Sequence, residues 1–275
     1  MPDWMQNLIG HETYGHGLIA QGLSVAVSPV GLLAIATVLI AGFLRGFVGF
    51  GSSLVIVMVL SVVVGPPAAV GVAGLSGLAP VAQLLPNAVR YSERSFVLPF
   101  GLFTFLAAPF GTWVLVVADP ALMKIIISLF VLAMVVMLYR DWRPRHARKA
   151  GFLMLAGAAS GLIQGASGVG GPPAVAIALS RDGTAQTQRA NVIGATTALA
   201  LCGLLPLWYN GVFTWDVIVL SVVSAPFYMV GTWFGSRAFG QHGSRHFRNA
   251  ALLSLAVVGV LTLGLAAYEY RGSIL

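Results

Sequence analysis

Two glycine-rich stretches decide how this sequence folds: residues 42–53 read GFLRGFVGFGSS, and residues 161–172 read GLIQGASGVGGP. Four glycines of the first stretch, at positions 42, 46, 49 and 51, return in the second at a constant offset of 119 residues. The tripeptide GTW at Gly111–Trp113 returns at Gly231–Trp233 with an offset of 120. Because glycine is common here, the tripeptide at nearly the same offset is the stronger argument. Together the matches indicate an internal duplication.

The chain around these stretches is too apolar for a water-soluble protein. Hydrophobic residues make up 58% of it and charged residues only 8%, whereas a soluble domain carries about 25% charged residues. The mean hydropathy is +0.90. This composition excludes a soluble enzyme, a disordered chain and a disulfide scaffold. Long apolar runs, rather than short alternating segments, predict an all-α polytopic membrane protein.

The apolar runs form two sets of five, separated by a basic stretch at residues 140–149. The first repeat, residues 25–139, holds Val25–Leu44, Leu54–Val64, Ala68–Leu85, Phe96–Val117 and Ala121–Tyr139. The second repeat, residues 150–275, holds Ala150–Ile163, Pro172–Leu179, Ala190–Tyr209, Val217–Phe239 and Asn249–Tyr268. Because five is an odd number, the second repeat must insert upside down. Inverted repeats of this kind are typical of secondary transporters.

Charge predicts the orientation of these segments. If the N-terminus lies outside, twelve of the fifteen basic residues fall on the inner side, as the positive-inside rule requires: Arg90, Arg94, Arg140, Arg143, Arg145, Arg148, Lys149, Arg181, Arg189, Arg237, Arg245 and Arg248. Residues 140–149 are then a cytoplasmic linker. Residues 1–24 are predicted to be a periplasmic segment at the membrane surface.

Some runs are too short to cross a membrane alone, since a full span needs about 20 residues. We predict that Leu54–Val64 and Pro172–Leu179 each form a re-entrant hairpin with the run before it. The first tip of these hairpins is Arg45–Ser53, and the second tip is Gln164–Pro173. Irregular backbone at membrane depth must be buried in protein or line a wet cavity.

This geometry predicts an anion site. Helices that start near Ser52 and Pro172 would direct free N–H groups and a positive dipole end towards the centre. The predicted substrate-binding residues are Arg45, Gly49, Gly51, Ser52, Ser53, Gln83, Gln164, Ser167, Gly168, Gly170, Gly171 and Thr196. The alternative for the glycines is tight helix packing. We favour packing for Gly42 and Gly161, and binding for the glycines of the tips.

Arg45 is the most informative single residue. An arginine beside a membrane-depth loop is costly unless it is paired or faces a cavity, so it is a functional candidate. The alternatives are that it snorkels to a surface or pairs with a carbonyl. Its repeat partner Gln164 is neutral but can donate hydrogen bonds, which predicts an asymmetric site.

Other polar residues within the apolar runs are interpreted as interhelical hydrogen-bonding groups: Ser76, Asn87, Thr104, Thr112, Asn191, Thr197, Ser221 and Ser224. Trp113 and Trp233 match between the repeats and could wall the pathway, although packing is the safer interpretation. The sequence has no P-loop, no metal-ligand pattern and no carboxylate within an apolar run. We therefore expect no cofactor, no metal and no enzymatic activity. The single cysteine, Cys202, is expected to have only a packing role.

The repeated Gly-x-x-x-Gly-x-x-Gly-x-Gly element at Gly42–Gly51 and Gly161–Gly170 resembles the signature of the TauE/SafE family of sulfite and organosulfonate exporters. Pro66–Gly71 and Thr187–Thr197 resemble the segments that follow each loop in that family, and the resemblance runs from about Val30 to Leu265. It implies a bacterial inner-membrane carrier of sulfur oxyanions or small sulfonates. Ser52-Ser53 and Pro172-Pro173 depart from the family pattern, which leaves bare sulfite and a carbon-bearing sulfonate both open.

The expected function is a secondary transporter that exports a small sulfur-containing anion by alternating access. Two other functions stay open, namely a small-anion channel and a membrane protein that binds lipid phosphate or assists assembly, using its basic inner face. Expected partners are the small anion, membrane lipids and a second copy of the chain in a homodimer. Nucleic acid is not an expected partner.

Overall fold

The described part of the chain is entirely helical. The computed structural model describes residues 27–117, 150–168, 170–240 and 253. In these ranges the helices are α1 (Pro29–Val48), α2 (Ser52–Val64), α3 (Pro66–Ser76), α4 (Leu78–Tyr91), α5 (Arg94–Val117), α6 (Ala150–Ser167), α7 (Gly171–Ser180), α8 (Ala185–Cys202), α9 (Leu204–Tyr209) and α10 (Trp215–Ala238). Residues 1–24, the linker 140–149 and the runs Ala121–Tyr139 and Asn249–Tyr268 lie outside the described residues, apart from Leu253.

Four described helical segments are long and apolar enough to cross a membrane: Pro29–Val48, Arg94–Val114, Ala185–Tyr209 and Trp215–Ala238. Counting α3 and α4 as one bent span raises the number to five. The helix Ser52–Val64 is shorter, as the sequence predicts. The chain is therefore a multi-pass membrane protein. The inverted orientation of its repeats and the re-entrant path of its hairpins remain predictions.

Two runs that the sequence presents as continuous are each divided at a glycine. Ala68–Leu85 is divided between α3 and α4, which meet at Gly77 with a bend of 46°. Ala190–Tyr209 is divided between α8 and α9 at Gly203. The same local cause applies to both, because a proline three residues after the glycine has no N–H to donate to the carbonyl one turn earlier. The prolines are Pro80 and Pro206.

Helix α1 continues through Arg45–Val48, the first four residues of the predicted first tip, which corrects the expected end of this run at Leu44. The Ser28 side chain caps its start by accepting a 3.0 Å hydrogen bond from the Gly31 N–H, and Pro29 occupies the first turn. The helix ends at Gly49, whose φ of 94° is left-handed and therefore favours glycine. The Gly49 N–H donates to the Arg45 carbonyl at 2.8 Å. Arg45 is thus held in the last turn of a well-capped helix.

The two halves pack crosswise. Helix α1 of the first half lies against α10 of the second, and α5 of the first half lies against α6 of the second. Glycines allow both contacts: a Cβ added at Gly42 would lie 2.9 Å from the Tyr228 ring, and one added at Gly161 would lie 2.9 Å from the Thr104 Cα. The packing interpretation of Gly42 and Gly161 is therefore confirmed.

Three of the eight polar residues expected to form interhelical hydrogen bonds bond within their own helix instead, which corrects the expectation for them. The Ser76, Thr112 and Ser221 hydroxyls each donate to the carbonyl four residues earlier, the local bond that a helix always offers such side chains. Thr104 and Asn191 do bond to other elements, because the Thr104 hydroxyl also donates to the Gly157 carbonyl of α6 at 3.1 Å and the Asn191 Nδ2 donates to the Glu93 carboxylate at 3.0 Å.

The repeat-matched tryptophans do not wall an internal pathway. The side chains of Trp113 and Trp233 are 63% and 47% exposed, on the outer surface of the described helices. Cys202 is buried, in agreement with a packing role.

Candidate functional site

The two tips lie side by side and enclose a small pocket of about 30 Å³. Each half of the chain supplies six lining residues: Arg45, Phe50, Gly51, Ser52, Ser53 and Leu54 from the first, and Gln164, Gly168, Gly171, Thr196, Leu199 and Ala200 from the second. We call this the Arg45 pocket. Eight of the twelve predicted binding residues line it, which places residues more than 110 positions apart around one space.

Within the part of the chain that the structure describes, Arg45 is the only charged residue that lines the pocket. Its side chain is 4% exposed, so it does not snorkel to a surface. Its Nη1 donates to the Ser52 hydroxyl at 3.4 Å, while its Nε and Nη2 have no partner. Among the described residues it bonds to no carbonyl and to no carboxylate. A buried cation with two unused donors is costly unless an anion completes it.

The start of α2 adds backbone donors to this positive charge. The N-cap Gly51 provides no side-chain hydrogen bond, and the N–H groups of Ser52 and Ser53 lie in the first turn, where a helix has no internal acceptor. Gly51 has a φ of 90°, and a Cβ added there would meet nothing within 4 Å. The backbone thus approaches an open space, as an anion site at a helix start requires.

The second tip is built differently, although helix α7 starts at Gly171, close to the predicted position. The Gln164 carbonyl oxygen Oε1 accepts a 2.9 Å hydrogen bond from the Gly170 N–H. Pro172 and Pro173 occupy the first turn and have no N–H groups to offer. Gly171 is therefore the main backbone donor that this helix start contributes to the pocket.

The other predicted residues take different places. Gly49 does not line the pocket, but its carbonyl accepts a 3.0 Å hydrogen bond from the Thr196 hydroxyl, which joins the first tip to α8. Gly170 holds Gln164 through its N–H. Gln83 is not brought to the pocket, and its Oε1 is buried without a partner. The side chain of Ser167 lies outside the described part of the structure.

Sequence reasoning missed Tyr228. This side chain is 1% exposed and lies beside both Arg45 and Ser52. It comes from α10, which approaches α1 closely because Gly42 has no side chain. The glycine was visible in the sequence, but its partner helix was not, so no sequence signal pointed to Tyr228.

A polar cluster joins Glu93, in the turn between α4 and α5, to Arg181 after α7 and to Asn191 in α8. The sequence indicated an interhelical hydrogen bond for Asn191 but not its partner. The Glu93 carboxylate accepts hydrogen bonds from the Arg181 Nη2 at 2.5 Å and from the Asn191 Nδ2 at 3.0 Å. The Glu93 N–H donates in turn to the Asn191 Oδ1 at 2.7 Å. In this cluster the Glu93 carboxylate is paired with Arg181 and not with Arg45. In the described residues no group of His, Cys, Asp and Glu side chains could hold a metal ion.

Comparison with known proteins identifies the family of the chain. No curated protein and no solved structure gives a significant match to the chain. A family model described as sulfite exporter TauE/SafE matches residues 34–262, a range that includes both tips and every residue of the Arg45 pocket. Because the match covers most of the chain, this protein belongs to the TauE/SafE sulfite exporter family.

Proposed function

We propose that this protein is a secondary transporter that exports sulfite, or a small organosulfonate, across a bacterial inner membrane. Membership of a transporter family for sulfur anions supports the substrate class. The observation that carries the proposal is the buried Arg45 guanidinium, whose Nε and Nη2 have no partner. A tetrahedral or pyramidal oxyanion would accept from these nitrogens and from the first-turn N–H groups of α2 together.

The size of the pocket favours bare sulfite over a sulfonate with a carbon chain. A water molecule needs about 10–15 Å³ of such volume, so the pocket of about 30 Å³ has room for a few non-hydrogen atoms. Phe50, Leu54 and Leu199 supply apolar walls. A longer sulfonate would need these walls to move apart.

Alternating access is supported by the position of the pocket between the halves. Six lining residues belong to each half, and substrate sites of repeat-built transporters lie at such an interface. Movement of one half, or of its hairpin, against the other would expose the pocket to opposite sides in turn. The orientation with a periplasmic N-terminus follows from the charge distribution and is part of the proposal.

The test combines ligand binding with transport. Purified protein is heated with sulfite, sulfate, methanesulfonate or phosphate, since a ligand that binds the folded state raises the melting temperature by mass action. The same protein in liposomes is assayed for counterflow of labelled sulfite. We expect sulfite to stabilise the wild type and to show saturable counterflow. Both effects should be lost in Arg45→Gln and retained in Arg94→Gln, a matched change at an exposed arginine.

Each alternative function predicts a distinct result. Sulfite flux that never saturates would favour a channel. Stabilisation by glycerol phosphate, without any effect of the sulfur anions, would favour a lipid-phosphate-binding protein. Equal binding of sulfite by Arg45→Gln and wild type would contradict the site assignment.

A further inference from the structure

A second, larger cavity lies beside the first tip. Its volume is about 350 Å³, and its lining residues are Asn87, Tyr91, Gln186, Arg189, Ala190, Ile193, Ser236, Phe239 and Gly240. We call it the vestibule. The side chain of Gln186 is exposed, so the vestibule is open at that end. None of these residues was predicted to bind substrate, and none lines the Arg45 pocket.

Among the described residues, one charged side chain lines the vestibule, that of Arg189, which is 8% exposed. Its Nε donates to the Phe47 carbonyl at 3.1 Å, and its Nη2 donates to the Gly46 carbonyl and to the Ser236 hydroxyl. These bonds fix the guanidinium at the end of α1. They leave Nη1 without a hydrogen bond to any described residue, and no carboxylate of the described ranges lines the cavity. An anion that enters therefore meets a fixed positive charge with a donor to spare.

One face of α8 connects the vestibule to the Arg45 pocket. Arg189, Ile193 and Thr196 follow at spacings of four and three, which places them on the same side of the helix. Arg189 and Ile193 line the vestibule, and Thr196 lines the Arg45 pocket. The two cavities are thus neighbours along one helix.

Ile193 lies between Arg189 and Thr196 on this face. Its side chain is 1% exposed, and a Cβ added at Gly49 would lie only 2.9 Å from its Cγ1. Gly49 is the residue that ends α1, and its carbonyl accepts a hydrogen bond from Thr196. Ile193 therefore makes an apolar contact with Gly49 between a lining residue of the vestibule and a lining residue of the Arg45 pocket.

We propose that the vestibule is an anion-binding entry site, in which Arg189 collects a small oxyanion and the Ile193–Gly49 contact closes its way to the Arg45 pocket. The proposal rests on the proposed transport function, and it adds a second site and a gate. The anion class is the same at both sites, a small oxyanion with several acceptor oxygens.

The first experiment measures the charge preference of the vestibule by thiol labelling. The native cysteine is removed with Cys202→Ala, and Gln186→Cys provides one thiol at the vestibule. The probes are 2-sulfonatoethyl and 2-(trimethylammonium)ethyl methanethiosulfonate, an anion and a cation of similar size. The reference position is Tyr209→Cys, because the Tyr209 side chain is 85% exposed and does not line the cavity. The labelling rates of the anionic and the cationic probe at this position give the reference ratio. We expect the ratio of the anionic to the cationic labelling rate to be about tenfold higher at position 186 than at position 209, because a concave charged site concentrates counter-ions.

Substitutions separate the vestibule from the pocket. Arg189→Gln should bring the ratio at position 186 down to the reference, whereas Arg189→Lys and Arg45→Gln should leave it high. A ratio that stays high in folded Arg189→Gln, or that falls equally in Arg45→Gln, overturns the entry site. Wild-type counterflow reports separately on the proposed function, so the two failures are distinguishable.

The gate is tested by flux. Ile193→Ala should raise sulfite flux in liposomes several-fold and make it saturate poorly, because the apolar contact with Gly49 is removed. Ile177→Ala is the matched control, since Ile177 is 3% exposed in α7 and lines neither cavity. Identical flux from the two variants would overturn the gate.

Discussion

The first and second tips share a glycine pattern but offer an anion very different chemistry. The first supplies a guanidinium with two unpartnered nitrogens and an uncapped helix start with free N–H groups. The second uses its glutamine oxygen to hold its own Gly170 N–H, and prolines occupy its first turn. Even the matched glycines diverge, since Gly51 has a φ of 90° and Gly170 a φ of −69°. The two tips therefore share a glycine pattern in sequence, but only the first carries a charge.

The largest predicted effect comes from removing the charge of the first tip. Arg45→Met should weaken sulfite binding at least about 100-fold, because two hydrogen bonds to a charged group contribute about 1.5–3 kcal/mol each. The same change should raise the free energy of unfolding of the ligand-free protein by about 1–4 kcal/mol, since an uncompensated buried charge is removed. Calorimetric titration and thermal unfolding in detergent measure the two effects. A variant that loses stability together with binding would indicate that Arg45 has a structural partner instead.

The second effect compares one glycine from each tip. A Cβ added at Gly51 or at Gly171 meets nothing within 4 Å, but only Gly51 has a left-handed φ. Gly51→Ala should therefore cost about 1–2 kcal/mol of stability and place a methyl group in the pocket, while Gly171→Ala should leave stability within about 0.5 kcal/mol. Thermal unfolding of the two variants checks the difference. Equal losses would mean that the backbone difference between the tips has no energetic consequence.

A smaller effect is expected at Gln164. Gln164→Ala removes the acceptor of the Gly170 N–H, so it should cost about 1–3 kcal/mol of stability. Sulfite affinity should change less than tenfold, because the group that carries charge remains. The affinity and the melting temperature are measured on the same preparation. If Gln164→Ala weakened binding as much as Arg45→Met, the asymmetry between the tips would be wrong.

Much of this arrangement could be predicted from local sequence. The two tips placed the starts of α2 and α7 within one residue, because a helix start depends on local backbone preferences, whereas the first run was expected to end at Leu44 and α1 continues to Val48. Arg45 could be singled out because a charge in an apolar run needs a compensating partner. These inferences needed no knowledge of which helices touch.

The features that sequence could not predict all depend on pairing between distant elements. Tyr228 lies beside Arg45 and Ser52 only because α10 packs on α1 at Gly42, and Glu93 meets Arg181 only through the approach of α7 to the turn before α5. The division of two apolar runs at Gly77 and Gly203 could in principle be predicted, since a proline follows each glycine by three residues. Hydropathy alone does not show it, because both halves of each run are apolar. Gln83 was misjudged as a pocket residue because a polar side chain in an apolar run looks functional until its surroundings are known.

The smallest predicted effect would make the second tip more like the first. Pro173→Ala adds an N–H in the first turn of α7, where no internal acceptor exists. One more donor at a helix start contributes about 0.3–1 kcal/mol towards an anion, so sulfite affinity should rise about two- to fivefold. The control is Pro67→Ala in the first turn of α3, a helix that contributes no residue to the Arg45 pocket, whereas α7 contributes Gly171. A gain in Pro173→Ala alone would show that the prolines limit the second tip. An unchanged affinity would instead mean that only the first tip contacts the anion, so that the two tips differ in anion binding even more than we propose.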